Sequence, residues 1–406
     1  MLRITELLCG PDQGPETPLW QKDGSSLPPS ATRPIVIWNL TRRCNLHCLH
    51  CYSQSQDRAY ADELTTDEGK RLIADLAHYR IPVVILSGGD PLYREDLYTL
   101  AGYARDLGVR CALSTNGTLI DATAAKRLRH SEITYVGVSL DGIGQVHDRF
   151  RGMQGSFALA LQGLRHSRDE GMKVGIRTAL CRRILPDLPA IFDLAEKEKL
   201  DRLYFSHLVY AGRGAGLIHD DLSPEEKQGA LDYLIQRAVD FHRRGVKIEV
   251  TTGNNDADGV YVYLKMRRSD PARAQSVFRL LQRQGGNSSG ISLANIDSLG
   301  NVHADPFWSH YSFGNVRERS FAAIWEDVTD PVMRVLKDRS RALKGRCAHC
   351  PHLELCGGNS RVRAEATTGD LWASDPGCYL SDEELGISST NGKEDSRAST
   401  HISVRG

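Results

Sequence analysis

Six short apolar runs, each followed by an amphipathic stretch, constrain this chain more than any other feature. The runs are 35–40, 83–86, 109–113, 135–140, 174–180 and 203–205. Between them, 66–79 places Leu72, Ile73, Leu76 and Tyr79 on one helical face, and 94–107, 122–129, 156–170, 188–199 and 224–243 repeat the pattern. A helix between two strands returns the chain to its starting end, so successive strands pair in parallel. The expected fold class is therefore α/β. Six units fall short of the eight that close a full barrel, which predicts a partial (β/α)6, TIM-like barrel with its working groups where strands end and loops begin.

Polar clusters stand at those strand ends: residues 41–52, Ser87-Gly88-Gly89-Asp90, Ser114-Thr115-Asn116-Gly117 and Ser139-Leu140-Asp141-Gly142. One such cluster alone reads as a turn. Four in register at one rim point to a site. The length, 406 residues, exceeds what a single core usually organises, so a second unit is expected. The expected division is an irregular segment over 1–33, the barrel over 34–250, a helical linker over 251–284, a smaller unit over 285–380 and a disordered tail over 381–406. Within the smaller unit, 291–302 reads as a hairpin turning at 298–301, and 320–336 as a helix interrupted near Pro331.

Basic and acidic residues balance at 51 each, which argues against a protein that works by gripping nucleic acid or anionic membrane. No run approaches the ~20 apolar residues of a membrane helix, and the first residues lack the apolar core of a secretory signal. A cytoplasmic chain is expected. Its ten cysteines then stay reduced, and close groups of them read as metal or iron–sulfur ligands.

Cys44, Cys48 and Cys51 form a C-x3-C-x2-C pattern directly after the first strand. Three thiolates can hold three irons of a [4Fe–4S] cluster and leave the fourth open to a ligand. Arg42 and Arg43 can offset the negative charge. With His47 or His50 as a fourth ligand, the same set also suits zinc. Cys347, Cys350, Cys356 and Cys378 follow C-x2-C-x5-C-x21-C, a closed four-ligand set compatible with zinc or with a second cluster. Cys111 and Cys181 read as packing residues, and Cys9 has no assigned role.

In the segment TRRCNLHCLHCYSQ the chain resembles the radical S-adenosylmethionine (SAM) enzymes, with His50 in the variable place before Cys51. The resemblance covers about residues 34–250. It implies a cluster whose open iron chelates SAM, and a 5′-deoxyadenosyl radical that abstracts hydrogen from substrate. It further implies SAM contacts at Tyr52, Gly88, Gly89, Asp90, Ser114, Asn116, Ser139, Asp141 and Arg151. Asp90 departs from the family's Glu and reaches less far by one methylene. Arg151, in HisAspArgPheArgGly (147–152), matches a motif of the family's cysteine-rich subgroup.

The late cysteines resemble the SPASM and Twitch extensions of that family. Here Asp305 and Ser360 stand where the full SPASM pattern has cysteines, which implies one auxiliary [4Fe–4S] cluster and two clusters in all. The finer resemblance is to the radical SAM proteins of heme d1 biosynthesis. It is carried by residues 36–46, 205–214, 313–319 and 356–364. It implies removal of propionate side chains from an iron-bound didecarboxysiroheme, with an electron donor such as a flavodoxin or ferredoxin. Alternatives are a heme-pathway decarboxylase acting on a related tetrapyrrole, a SPASM-type peptide maturase, and a non-catalytic zinc protein.

A flat polycarboxylate needs guanidinium forks and apolar walls. The candidates are Arg177, Arg202, Arg213, Arg361 and Arg363, with His207 as an iron or carboxylate contact and Phe307 and Trp308 as walls. Of these, His207, Arg177 and Arg213 are the candidates nearest the reaction itself.

Overall fold

A computed structural model describes residues 1–10 and 33–387. One sheet contains ten strands: β1 (Leu2–Arg3), β2 (Ile35–Asn39), β3 (Val84–Ser87), β4 (Cys111–Thr115), β5 (Tyr135–Ser139), β6 (Lys173–Leu180), β7 (Arg202–His207), β8 (Glu249–Gly253), β9 (Leu293–Ile296) and β10 (Val302–His303). Their order is β1-β8-β7-β6-β5-β4-β3-β2-β9-β10. The six expected strands, β2 to β7, run parallel to one another, with helices in between. The structure adds β8, parallel to β7, and β9, parallel to β2.

Alternation along each strand separates two environments. Val136, Val138, Val174, Ile176, Leu203 and Phe205 are buried under the helices. Phe192, on the helix Leu188–Lys197, stacks on Phe205 at 5.5 Å and also meets Phe241 at 5.8 Å. The opposite face, the inside of the partial barrel, holds half-buried Ser114, Ser139, Arg177, Tyr204 and Ser206. An apolar jacket around a polar, accessible interior is the design of a barrel that receives a ligand.

Several expected boundaries need correction. The segment 1–33 is not irregular throughout: β1 pairs antiparallel with β8, and the helix Ile4–Cys9 buries Ile4 and Leu7. A bare edge at β8 needs a partner, and this short segment supplies one. Residues 11–32 lie outside the described residues. The span 251–284 is not a linker. Its first residues belong to β8, the helices Ala257–Ser269 and Pro271–Gln284 pack on each other, and the second packs against Ile4–Cys9. Part of the expected tail is also ordered. Ser381 caps the helix Asp382–Leu385 through a capping box; the remainder, from 388, lies outside the described residues.

The hairpin of the smaller unit forms as expected, β9 with β10. It joins the barrel itself: β9 extends the sheet beside β2, and Asn295 Nδ2 donates to the carbonyl of Ile37 at 2.8 Å. The interrupted helix resolves into Phe321–Trp325 and Pro331–Lys337. Glu68, the reciprocal partner of the Thr65 cap, also receives Arg317 Nε at 2.7 Å, tying the first barrel helix to the smaller unit. Among the described residues no helix is long and apolar enough to cross a membrane.

Candidate active site

The loop after β2 carries Cys44, Cys48 and Cys51, and three segments hold it. From β3, Gly89 N–H donates to the Thr41 carbonyl at 2.7 Å and Asp90 N–H to the Arg43 carbonyl at 2.8 Å. Only glycine permits this approach. A Cβ on Gly88, at φ +140°, would stand 2.3 Å from the Thr41 oxygen, and one on Gly89 2.2 Å from the Arg43 oxygen. From the helix Gln145–Arg151, the carbonyls of Arg151 and Phe150 accept from His47 N–H at 3.1 Å and Leu49 N–H at 3.0 Å. On the third side, Arg213 donates to the carbonyls of Cys48 at 2.8 Å and Ser55 at 3.0 Å.

Cys44 and Cys48 pack around Leu46, with Cys51 and Met153 at the border of this apolar cluster. Each sulfur meets a polar neighbour. Cys44 Sγ accepts from Leu46 N–H at 3.4 Å and from Asn116 Nδ2 at 3.6 Å; Arg151 Nη1 lies 3.6 Å from Cys48 Sγ; Ser53 Oγ lies 3.4 Å from Cys51 Sγ. Burial pushes the Cys44 thiol up to about 12, with the charge of Asp90 adding to it. Burial also raises Cys48 against the opposing charge of Arg151. At Cys51 burial is outweighed by hydrogen bonds from Ser53 and Ser55 and by the charge of Arg213, which leave this thiol below its ordinary value. A coordinated metal deprotonates such thiols outright. The donors around the sulfurs fit an iron–sulfur cluster, whose sulfurs accept such bonds. Arg151 Nε and Arg213 Nη2, both buried, have no hydrogen-bond partner among the described residues and remain available to a bound group.

The residues expected around SAM divide into two kinds. Asp141 and Arg151 form a buried ion pair at 2.5 Å beside the cysteine loop, and His50 Nε2 lies 3.6 Å from the same carboxylate. Burial alone would raise Asp141; Arg151 outweighs it and keeps the carboxyl below its usual range. Asn116 donates to Asn45 at 2.9 Å as well as to Cys44, so it positions the loop. Asp90 is fully engaged elsewhere. One oxygen accepts from Leu92 N–H at 3.0 Å, the other from Thr115 Oγ1 at 2.7 Å and Asn116 N–H at 2.8 Å. It is a strut between the ends of β3 and β4, and the structure does not aim it at a ligand. Ser114 and Ser139 face the interior. Tyr52 donates to Asn39 at 3.1 Å and meets Phe307 edge-on at 5.4 Å, bringing the smaller unit to the barrel mouth.

Cys347, Cys350, Cys356 and Cys378 line one cavity with Ala257, Val260 and Leu353. Cys356 is the most strongly perturbed, its thiol raised well above the ordinary value by burial and then by Asp256 and the other three thiols. Among the described residues no three His, Cys, Asp or Glu close to the spacing of ligands on a single ion. Asp305 and Ser360 take no part. Asp305 accepts from Ser289 and from Phe307 N–H, and Ser360 caps the helix Arg361–Thr368.

Most of the expected substrate residues prove to be structural. His207 is buried on the helix-facing side of β7, its Nε2 3.0 Å from Asp258, which also accepts from Tyr379 at 2.8 Å. Its parity with Leu203 and Phe205 carries that signal in the sequence. Arg213 clamps the cysteine loop. Arg202 lies at the start of β7, at the far rim, paired with Glu249 at 3.0 Å. Arg361 donates to the carbonyls of Leu371, Ala373 and Gly358. Arg363 grips Asp375 with two bonds, at 2.8 and 2.7 Å, and reaches the Leu208 carbonyl at 2.8 Å. Trp308 is core. Arg202 and Arg177 both lie on the inward face, Arg202 over the Tyr135 ring at 5.2 Å; of the two only Arg177, its guanidinium 5.0 Å from the centre of the Tyr204 ring, has no carboxylate partner among the described residues. The inward tyrosines, Tyr135 and Tyr204, went unnoticed in the sequence, although each shares the parity of its strand's polar residues.

The comparisons with known proteins agree with this geometry. Residues 38–195 match the radical SAM superfamily and residues 290–351 an iron–sulfur cluster-binding domain, SPASM. The chain is 49% identical to an Fe-coproporphyrin III synthase of Methanosarcina barkeri, over 95% of this chain and 99% of that protein. It is 44% identical to a pre-heme d1 synthase of Dinoroseobacter shibae, over 87% of this chain and 88% of the other. Among solved structures, Streptococcus suis SuiB bound to S-adenosylmethionine superimposes with a TM-score of 0.68 at 17% identity, covering 86% of this chain and 78% of SuiB; this likeness concerns the fold.

Proposed function

The chain belongs to the radical SAM superfamily, with a SPASM-type iron–sulfur extension, and from that premise we propose that it removes acidic side chains from an iron tetrapyrrole to give Fe-coproporphyrin III. Its cofactors are SAM and two [4Fe–4S] clusters. The observation that carries the proposed reaction is the 49% identity to an Fe-coproporphyrin III synthase across nearly the whole of both chains. The propionate-removing reaction of the d1 branch, implied by the finer sequence resemblance, is the second reading, supported by 44% identity over a shorter span.

SAM bound beside the reduced cluster supplies the 5′-deoxyadenosyl radical that abstracts hydrogen from substrate. The protein's own part is to hold and to exclude. Cys44, Cys48 and Cys51 hold the first cluster; the Gly88–Asp90 backbone and Arg213 keep their loop fixed. The ion pair of Arg151 with Asp141 sets a positive charge against Cys48. Phe307 on Tyr52 narrows the mouth against water, which a carbon radical chemistry requires. Cys347, Cys350, Cys356 and Cys378 hold the auxiliary cluster, and an external one-electron donor such as a flavodoxin or ferredoxin reduces the enzyme.

The test is anaerobic incubation of the reconstituted enzyme with SAM, reductant and didecarboxysiroheme, followed by mass analysis. A coproporphyrin keeps four propionates, so loss of acetate arms with 5′-deoxyadenosine formation is expected. Loss of propionate arms would establish the d1 branch instead. An unchanged tetrapyrrole beside active SAM cleavage would overturn both.

A further inference from the structure

The interior of the partial barrel contains an arrangement that neither cluster accounts for. Three inward positions, on β5, β6 and β8, are glycine, and each makes room for a polar side chain. A Cβ on Gly137 would stand 3.0 Å from Arg177 Cδ; on Gly175, 2.3 Å from the Tyr135 hydroxyl; on Gly253, 2.3 Å from the Tyr204 hydroxyl. The register sets Ser139 beside Arg177 and Arg177 beside Tyr204 across β5, β6 and β7. Tyr204 stacks on Arg177, and Tyr135, whose own ring carries Arg202 at 5.2 Å, also feels the charge of Arg177 after that of Arg202.

Within this group the guanidinium has no carboxylate. Among the described residues it makes no ion pair or hydrogen bond, only its stacking on Tyr204. It is also half-buried, where a cation without a partner is unfavourable. Every other arginine considered for the substrate already has a protein partner. A planar fork of five donors held against an aromatic ring, in a polar interior, suits a carboxylate. The cysteine loop and the Gly88–Gly89 backbone that holds it stand at the ends of β2 and β3, whereas Arg177 projects from β6, three strands from β3 and beside Ser139 of β5. The guanidinium is thus set apart from the cysteine loop and faces the polar interior of the barrel.

We propose that Arg177 anchors one carboxylate arm of the substrate inside the barrel, with Tyr135 and Tyr204 as its walls, an inference that rests on the tetrapyrrole reading above. The test uses Fe-coproporphyrin III and its tetramethyl ester as probes, titrated into the reconstituted enzyme and followed by the porphyrin absorption band. SAM affinity is measured in parallel. In Arg177→Met the acid should bind about 10–100-fold more weakly, as expected for loss of a charge-assisted hydrogen bond. The ester should bind wild type and variant alike, SAM affinity and iron content should be unchanged, and Arg177→Lys should fall between. The guanidinium has no protein partner to orphan, so the fold should be retained, and Arg177→Lys serves as the check. Equal binding of the acid by wild type and both variants would overturn the proposal. A matching loss of SAM affinity would assign the guanidinium to SAM's own carboxylate and overturn it too. Wild-type enzyme that binds neither probe would overturn the tetrapyrrole reading itself.

Discussion

Arg151 stands with one terminal nitrogen 3.6 Å from the sulfur of Cys48 and the other 2.5 Å from Asp141, so a cluster ligand and a buried carboxylate share one guanidinium. Removing a single member leaves an uncompensated charge in the interior. Arg151→Met should destabilise the protein by about 3–5 kcal/mol, Asp141→Asn by a comparable amount, and the double variant by clearly less than the sum. Anaerobic urea unfolding of the four proteins measures the coupling. Additive losses would show that the pair does not act as a unit.

The two cysteine sets should fail independently. The reconstituted protein should hold about eight irons. Cys48→Ala should lose about half of them and all SAM cleavage. Cys356→Ala should lose the other half and retain reductive SAM cleavage in the absence of substrate. Iron analysis and product chromatography decide; loss of SAM cleavage in Cys356→Ala would show that the auxiliary site supports the first one.

Asp90 accepts three protein hydrogen bonds and offers no free oxygen lone pair in an open direction. Asp90→Ala should therefore act through stability, lowering it by about 2–3 kcal/mol as buried donors are orphaned. SAM affinity per folded molecule should change by less than about threefold. Calorimetric SAM titration beside thermal unfolding separates the effects. A large affinity loss with unchanged stability would restore the direct contact that the family pattern implies.

His147 gives a pH signature. The backbone N–H of Asp141 donates to His147 Nδ1 at 3.1 Å, which requires a lone pair there and hence a neutral ring. Burial, aided by the charge of Arg151, brings its pKa down to about 4. The folded state thus resists a proton that the unfolded state accepts below about 6.5. The stability this residue contributes is complete above about pH 6.5 and is lost as pH falls toward 4. Replacing His147 with Gln should flatten the pH dependence of unfolding across that window, by roughly 2–3 kcal/mol in total. An unaltered slope would mean that the ring titrates normally.

The sequence made the strands and the cysteine loop legible because their signals are local. An apolar run of five residues, or three cysteines within eight, needs no distant partner. The arginines were another matter. Arg177, Arg213 and Arg363 look equally apt in sequence. What separates them is whether a carbonyl at Cys48 or a carboxylate at Asp375 lies in reach, and those partners are set by the fold. Asp90 misled for the same reason, since its role depends on Thr115 of the neighbouring strand. His207 was decidable, because it alternates in phase with Leu203 and Phe205. The strand β1 was not: two residues carry no period, and its pairing with Thr251 and Thr252 spans almost the whole barrel.

The pairing of β9 with β2 bears on how the protein can be handled and how it can have diverged. The strand that delivers the cysteine loop has β3 on one side and the extension on the other. Cutting the chain near residue 285 would bare the backbone of β2 along an apolar edge, a template for intermolecular pairing. The catalytic portion is thus not separable as a minimal fragment for expression. Exchange of extensions between relatives is likewise restricted to those whose first strand can take over the same seam.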